Sequence, residues 1–479
     1  MSRESKHVCS RRQFLQGMGG AIALSLLPCS ELLGGAEPIS RTPIYARGKA
    51  KVGLVFSHIP SGSPTWPMKD YDYAAREKEL TAKLNDTCPG VEFTVKTALN
   101  AADAEAIVKE KPDVDGYVVY AVGIWTNAPV TIMRSRKPVI LVDDLYAGSG
   151  ETLIATAAAR QEKLPTVTVS SSDFRDVVDS VRLLEVIHSM KESVILHISD
   201  VDVASLASVT DAVKKLYGAQ VVGMGSNDLA AYYSKVDSAE AERWADFWMR
   251  QAKKVVEPSR EEIVNSGKMY LALCRAAAEK RADAVTMDCL GMFYGGRITA
   301  YPCLSHFQMN NDGGTGVCEG DLNSTCSQLM MRYLTGRPGY VSDPVIDTAR
   351  SEIIYAHCVS TNRVFGPKGN ANPYIIRSHA EDGKGAVVQS LMPAGHMVTT
   401  LEADVWTKRM VIHTGKTVRN VDDPKACRTK LAAKTNAESI LRNWDMGWHR
   451  VTVYGDWRRQ VMNLARLLGV EVFEEDRAG

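Results

Sequence analysis

The stretch Cys303-Leu-Ser-His-Phe-Gln-Met-Asn-Asn-Asp-Gly-Gly-Thr-Gly-Val-Cys-Glu-Gly-Asp321 is where the character of this chain changes. It leaves the apolar run Asp283-Ala-Val-Thr-Met-Asp288 and enters a helical run whose Leu322, Cys326, Leu329, Met330 and Tyr333 mark one face. Gly336-Arg-Pro-Gly-Tyr-Val-Ser-Asp343-Pro and Glu352-Ile-Ile-Tyr-Ala-His357-Cys358 follow. Glycines, an Asn-Asn-Asp turn, the acidic Glu319, Asp321 and Asp343, and His357 thus fall where predicted strands and a helix begin and end. Such a place suits a metal or a proton transfer.

Upstream of this stretch, short apolar runs at Val52–Phe56, Val91–Val95, Gly116–Tyr120, Pro138–Val142 and Pro165–Val169 predict strands. Helical spacing separates them at Tyr71–Leu84, Ala101–Lys109 and Ala128–Arg134. A second set follows: a helix at Phe174–Met190, strands at Ser193–Ile198 and Gln220–Gly223, a helix at Ala207–Tyr217, and a helical tract from Asp228 to Lys280 broken near Pro258. Continuous apolar strands between helices argue parallel sheets covered on both faces. The reading is therefore α/β, with two Rossmann-like doubly wound domains at 51–170 and 171–345. Downstream, alternating runs at Ala386–Gln389, Met397–Leu401, Lys408–Ile412, Lys416–Val418 and Arg450–Tyr454 are separated by Gly, Pro and Asp turns. They predict a C-terminal antiparallel β-barrel-type domain at 346–479, with a terminal helix at Trp457–Leu468.

Composition narrows the class. The 479 residues are 45% hydrophobic and 24% charged, and Lys+Arg 57 against Asp+Glu 56 leaves a formal charge of +1. No basic cluster interleaved with aromatics is present, so the expected partner is a small neutral molecule and not a nucleic acid. At the start, Ser10-Arg-Arg-Gln-Phe-Leu15 precedes a short apolar run and the small residues Gly34-Gly35-Ala36. This resembles a twin-arginine signal peptide over 1–36, followed by a polar linker at 37–50, and implies periplasmic or other export without stable membrane insertion. Cys9 and Cys29 of the ten cysteines fall in that signal. No Cys-x-x-Cys pair occurs, and Cys274, Cys289, Cys303 and Cys326 read as buried free thiols.

Each candidate site residue has an ordinary structural reading. Glu319 and Asp321 complement the N-terminal dipole of the following helix, a stabilisation of about 0.3–1 kcal/mol. Asp343 precedes a proline, which biases it toward an extended turn. His357 ends a strand as a core histidine does, and His449 follows Trp444 and Trp448, whose faces suit either a core or a sugar. Together Glu319, Asp343, His357 and His449 supply two carboxylates and two imidazoles, a mixed O/N set appropriate to Mn²⁺ and unlike a thiolate zinc site.

The motifs Pro302-Cys-Leu-Ser, Cys318-Glu-Gly-Asp321, Leu334-Thr-Gly-Arg-Pro338, Ser342-Asp-Pro344, Ala356-His-Cys358 and His449 to Asp456 resemble the L-fucose isomerase / L-arabinose isomerase superfamily, in its L-fucose isomerase-like branch. The resemblance implies a homo-oligomer that interconverts aldoses and ketoses through an enediolate, using a divalent metal, first of all Mn²⁺. It assigns Glu319, Asp343 and His449 as ligands, with His357 as an additional one, and gives Glu319 or Asp343 the proton transfer between C1 and C2. It leaves the sugar open. An exported sugar-binding protein and a catalytically degenerate isomerase are the competing readings.

Overall fold

The computed structural model describes residues 37–477 apart from 111 and 202, so the twin-arginine stretch lies outside the described residues. The first sheet is formed by β1 (Ala50–Ser57), β2 (Val91–Ala98), β3 (Gly116–Ala121), β4 (Val139–Asp143) and β5 (Thr166–Val169), all parallel, in the order β2-β1-β3-β4-β5. Alternation decides its layering. Leu54, Phe56, Val118, Tyr120, Ile140 and Val142 join one core cluster, whereas Val55, Tyr117, Val119, Val139 and Leu141 join another. Successive side chains of one strand feed opposite faces, and both faces are covered.

A second parallel sheet contains β6 (Val194–Ile198), β7 (Gln220–Met224), β9 (Ala284–Met287) and β10 (Gly316–Cys318), in the order β10-β9-β6-β7. The two-residue β8 (Lys254–Val255) belongs elsewhere, beside β13 (Tyr374–Arg377) and β14 (Val387–Ser390). The helical tract expected from Asp228 to Lys280 resolves into three helices, Ser226–Tyr233, Ser238–Gln251 and Arg260–Glu279. Asp237 caps the second, and Ser259 caps the third in a reciprocal capping box with Glu262. Side-chain oxygens there satisfy orphan N–H groups, so the chain restarts at each break. A helix at Cys303–Asn311 has all nine residues buried. It therefore lacks the polar face that would have marked it in the sequence.

The remaining strands are β11 (Tyr340–Asp347), β12 (Glu352–His357), β15 (Met397–Asp404), β16 (Arg409–Asn420), β17 (Thr429–Lys434), β18 (Arg450–Tyr454) and β19 (Glu471–Glu474). They form a separate sheet in the order β15-β18-β11-β12-β17-β16-β19. A further antiparallel β15–β16 ladder closes six of these strands on themselves, and β19 joins β16 in parallel. The runs at Lys408–Ile412 and Lys416–Val418, expected as two strands, are one. The first half of β16 pairs with β15 and β19, and the second half pairs with β17 past an irregularity between Thr417 and Arg419. Bending of this kind lets a strand serve two neighbours in a closing ring. The molecule is thus mixed α/β, with parallel sheets flanked by helices and a separate antiparallel-rich sheet. Among the described residues, no helix is long and apolar enough to cross a membrane.

Candidate functional site

Glu319 leaves the carboxyl end of β10, the edge of a parallel sheet where ligands commonly bind. Gly316 is obligatory at the start of β10, because a Cβ there would lie 2.8 Å from the His306 Cα. Glu319 and Gly320 both adopt left-handed backbone, at φ 64° and 68°. For a non-glycine residue that conformation costs roughly 1–2 kcal/mol. His197 Nε2 donates to the Gly320 carbonyl at 3.0 Å and fixes the turn. The helix that follows runs Leu322–Thr335 with Asp321 as its N-cap, so the dipole-complementing role belongs to Asp321 and not to Glu319.

The antiparallel sheet contributes the other groups. β11 lies between β18 and β12, with Ser342 opposite Arg450 and Asp343 opposite Ala356. That register brings Asp343, His357 at the end of β12, and His449 just before β18 to one end of three neighbouring strands. The Asp343-Pro344 turn expected from the sequence is instead strand. Beyond Ser342, β11 pairs only with β12, so the missing N–H of Pro344 leaves no gap on the β18 side.

One ligating atom from each of Glu319, Asp343, His357 and His449 lies within 4.8 Å of the others. His449 Nε2 sits 3.3 Å from Glu319 Oε2 and 3.1 Å from Asp343 Oδ1. Despite the short second distance, Asp343 Oδ1 is buried without a hydrogen-bond partner among the described residues. Its other oxygen accepts only a long contact from the Cys427 thiol at 3.8 Å. His357 Nε2 is also buried and unpartnered, 3.7 Å from Glu319 Oε1.

Behind this group, His449 Nδ1 donates to Asp321 Oδ2 at 2.9 Å, which turns Nε2 toward Glu319 and Asp343; in the neutral ring that atom offers its lone pair. Asp321 Oδ1 meanwhile accepts from the backbone of Asn323 and Ser324, and Oδ2 also accepts from Ser324 Oγ at 2.6 Å. The fully buried Arg450 donates to the carbonyls of His449 (2.7 Å), Met446 (3.0 Å) and Asp445 (2.6 Å) and pairs with buried Glu475. This clamp holds the loop that carries His449 and the 65% exposed Trp448. Sequence reasoning missed both supports. The sequence marks Asp321 as an acidic group at the start of a helix but not as a partner of His449, and nothing local marks Arg450.

The electrostatics favour positive charge at this point. Burial disfavours an imidazolium at His449, but Asp321, Asp343 and Glu319 together hold its pKa up at about 12. Burial also raises Asp321 and Asp343, yet His449 brings both below the ordinary carboxylate value, helped at Asp321 by the Ser324 hydrogen bonds and at Asp343 by the nearby His357. Buried Glu402, next to Ser324, is pushed well above the usual range by burial and by the charge of Asp321. The donor set, two carboxylates with an imidazole whose Nε2 faces them and an unpartnered buried oxygen, fits a hard or borderline divalent cation, which would take the place of the Nε2 proton. All four sequence-predicted site residues are therefore brought together.

No protein-family model matches the chain. The chain is similar to sulfoquinovose isomerases of Priestia aryabhattai and of Priestia megaterium (strain ATCC 12872 / QMB1551), each 23% identical over 270 residues, covering 54% of this chain and 59% of the relative. It thus spans little more than half the length of the curated relatives it matches. The relationship found is to sugar isomerases.

Proposed function

We propose that this protein is a divalent-metal-dependent aldose–ketose isomerase acting on a monosaccharide. The observation that carries the reading is the convergence of Glu319, Asp343 and His449 within 4.8 Å, with Asp343 Oδ1 and the neighbouring His357 Nε2 buried and unpartnered among the described residues. The similarity to two sulfoquinovose isomerases supports it independently.

A bound divalent cation, with Mn²⁺ the first candidate, supplies Lewis-acid polarisation of two neighbouring sugar oxygens. Glu319, Asp343 and His449 are the residues that would hold it, and Asp321 keeps the His449 lone pair available. The chain's remaining work is one proton relocation. A carboxylate oxygen takes the hydrogen from C2 of the open-chain aldose and returns it to C1, while the hydroxyl proton on O2 passes to O1. Glu319, whose side chain is 28% exposed against 14% for Asp343, lies closer to the open side and is assigned that transfer. The face of Trp448 offers a platform for sugar C–H groups beside it.

The test is direct. Protein loaded with Mn²⁺ is incubated in D₂O with sulfoquinovose, L-fucose, D-arabinose or L-arabinose and followed by proton NMR. At least one aldose is expected to yield its ketose, and Glu319→Gln to slow that conversion by about 10²–10⁴-fold or more. A wild type that binds no divalent cation and leaves every sugar unchanged refutes the assignment.

A further inference from the structure

We propose that His357 is a hydrogen-bond donor to bound sugar and not a fourth metal ligand, so that only Glu319, Asp343 and His449 hold the cation. The identity of the oxygen it meets rests on the isomerase reading; the choice of protonated nitrogen does not. The Cys358 backbone N–H points at His357 Nδ1 across 2.8 Å. A backbone N–H only donates, so Nδ1 must present its lone pair, and in a neutral imidazole the single hydrogen then sits on Nε2. Ligation through Nε2 with Nδ1 still accepting would leave the ring with no hydrogen, an imidazolate. His449 is the reverse case, since its Nδ1 faces the Asp321 carboxylate at 2.9 Å and keeps the hydrogen. In their neutral forms the two histidines of one quartet thus have opposite tautomers, His449 presenting a lone pair and His357 an N–H at Nε2.

A second observation says what that N–H is for. The His357 side chain is 2% exposed, and its Nε2 has no hydrogen-bond partner among the described residues. Glu319 Oε1, at 3.7 Å, is beyond hydrogen-bond reach. A buried donor left unmade is costly, and here it borders the atoms that converge on the site. A sugar carbonyl or hydroxyl oxygen reaching the group would satisfy it. Sites that spend buried polar groups on a substrate oxygen discriminate strongly against analogues lacking that oxygen.

Three readouts test this. In calorimetric titrations of cation-stripped protein, His357→Gln and His357→Leu are expected to bind Mn²⁺ within about threefold of wild type. His449→Gln is expected to weaken binding by about 100-fold or more, beyond the loss typical of an outer-shell change. In the Mn²⁺-loaded proteins, His357→Leu is expected to weaken sugar binding by about tenfold or more, while His357→Gln, which keeps an N–H donor, stays within about threefold. Electron spin-echo modulation of Mn²⁺ in wild-type protein carrying ¹⁵N-histidine is expected to show one coupled imidazole nitrogen, and this arm needs no variant to fold. Two coupled nitrogens, no Mn²⁺ binding by the wild type, or a His357→Leu protein that loses Mn²⁺ as His449→Gln does would each overturn the inference. One coupled nitrogen with sugar bound but never converted would leave it standing and refute the isomerase reading alone.

Discussion

Replacing Asp321 with Asn separates two jobs done by one side chain. Asp321 Oδ1 caps the helix Leu322–Thr335 by accepting from Asn323 and Ser324. Oδ2 accepts from His449 Nδ1 at 2.9 Å and from Ser324 Oγ at 2.6 Å. Asn is as good an N-cap as Asp, so the cap survives with a change of a few tenths of a kcal/mol. The amide group that replaces Oδ2, however, would point an N–H at the Nδ1–H of His449. The ring must then move its hydrogen to Nε2 or rotate, and either response removes the lone pair facing Glu319 and Asp343. Loss of such a supporting carboxylate lowers metal affinity by about 10- to 100-fold, or about 1.4–2.8 kcal/mol. Mn²⁺ titration by calorimetry and urea midpoints of the stripped protein measure the two quantities separately. Ser259→Ala, which breaks the capping box of the helix Arg260–Glu279, is the control. It is expected to cost about 1 kcal/mol of stability and no Mn²⁺ affinity. Wild-type Mn²⁺ affinity in Asp321→Asn would refute the orienting role, as would a urea midpoint that falls as far as the control's.

In stripped protein, the His449 cluster should stabilise most between about pH 4 and 6.5. Asp321 and Asp343 are held below the ordinary 3.8, so their contribution is present above that value and lost as pH falls through the folded one. His449 is held at about 12 against 6.5, so its contribution is complete below 6.5 and lost as pH rises toward 12. The stability difference between wild type and His449→Gln, followed by urea midpoint, is expected to shrink on both sides of that window, and a difference that grows from pH 7 to 10 would contradict it. Glu402→Gln is expected to leave the neutral-pH midpoint near wild type, because burial and the Asp321 charge both favour the protonated carboxyl; a large loss would show that it is ionised. Glu475→Gln strips the fully buried Arg450 of its charge partner and is expected to cost roughly 3–5 kcal/mol and to weaken Mn²⁺ binding as the 445–449 loop loosens. A metal affinity unchanged by that substitution would detach the clamp from the site.

How far the sequence carried the reading depended on whether the deciding interaction was local. Val118 and Val119 enter different core clusters, so both faces of β3 are apolar and the strand is plain in the sequence. The same logic hid the helix Cys303–Asn311, since burial on every side erases the period that identifies a helix. In the antiparallel half β15, β16 and β18 were legible by alternation, whereas β17 went unmarked and Asp343-Pro344 of β11 read as a turn; the β15–β16 ladder that closes the ring is a long-range pairing with no local sign. At the site, Glu319, Asp343, His357 and His449 stood out as polar groups at the ends of elements. Their meeting depends on β11 lying between β18 and β12, which only the folded sheet decides. Asp321 was half legible: a cap is a matter of three neighbouring residues, whereas its grip on His449 crosses the molecule.

The quartet differs from an ordinary buried ion cluster in what it leaves undone. A cluster kept for stability directs its hydrogen bonds at its own members, because each buried polar atom without a partner is a loss. Here Asp343 Oδ1 and His357 Nε2 go unmatched although carboxylate and imidazole atoms stand within 4 Å of each. Glu319, the residue between them, sits in left-handed backbone that a glycine would occupy at less cost. Beside it Trp448 keeps a large apolar face in solvent, and behind it Arg450 and Glu475 use a fully buried charge pair to hold the loop. None of these features stabilises the folded chain by itself, and they coincide at one point. Local rules broken together without a structural return are the mark of a site shaped for a ligand. Three carboxylates drawn around one imidazole set that ligand's charge as positive, and the orphaned atoms on either side leave room for the oxygens it brings.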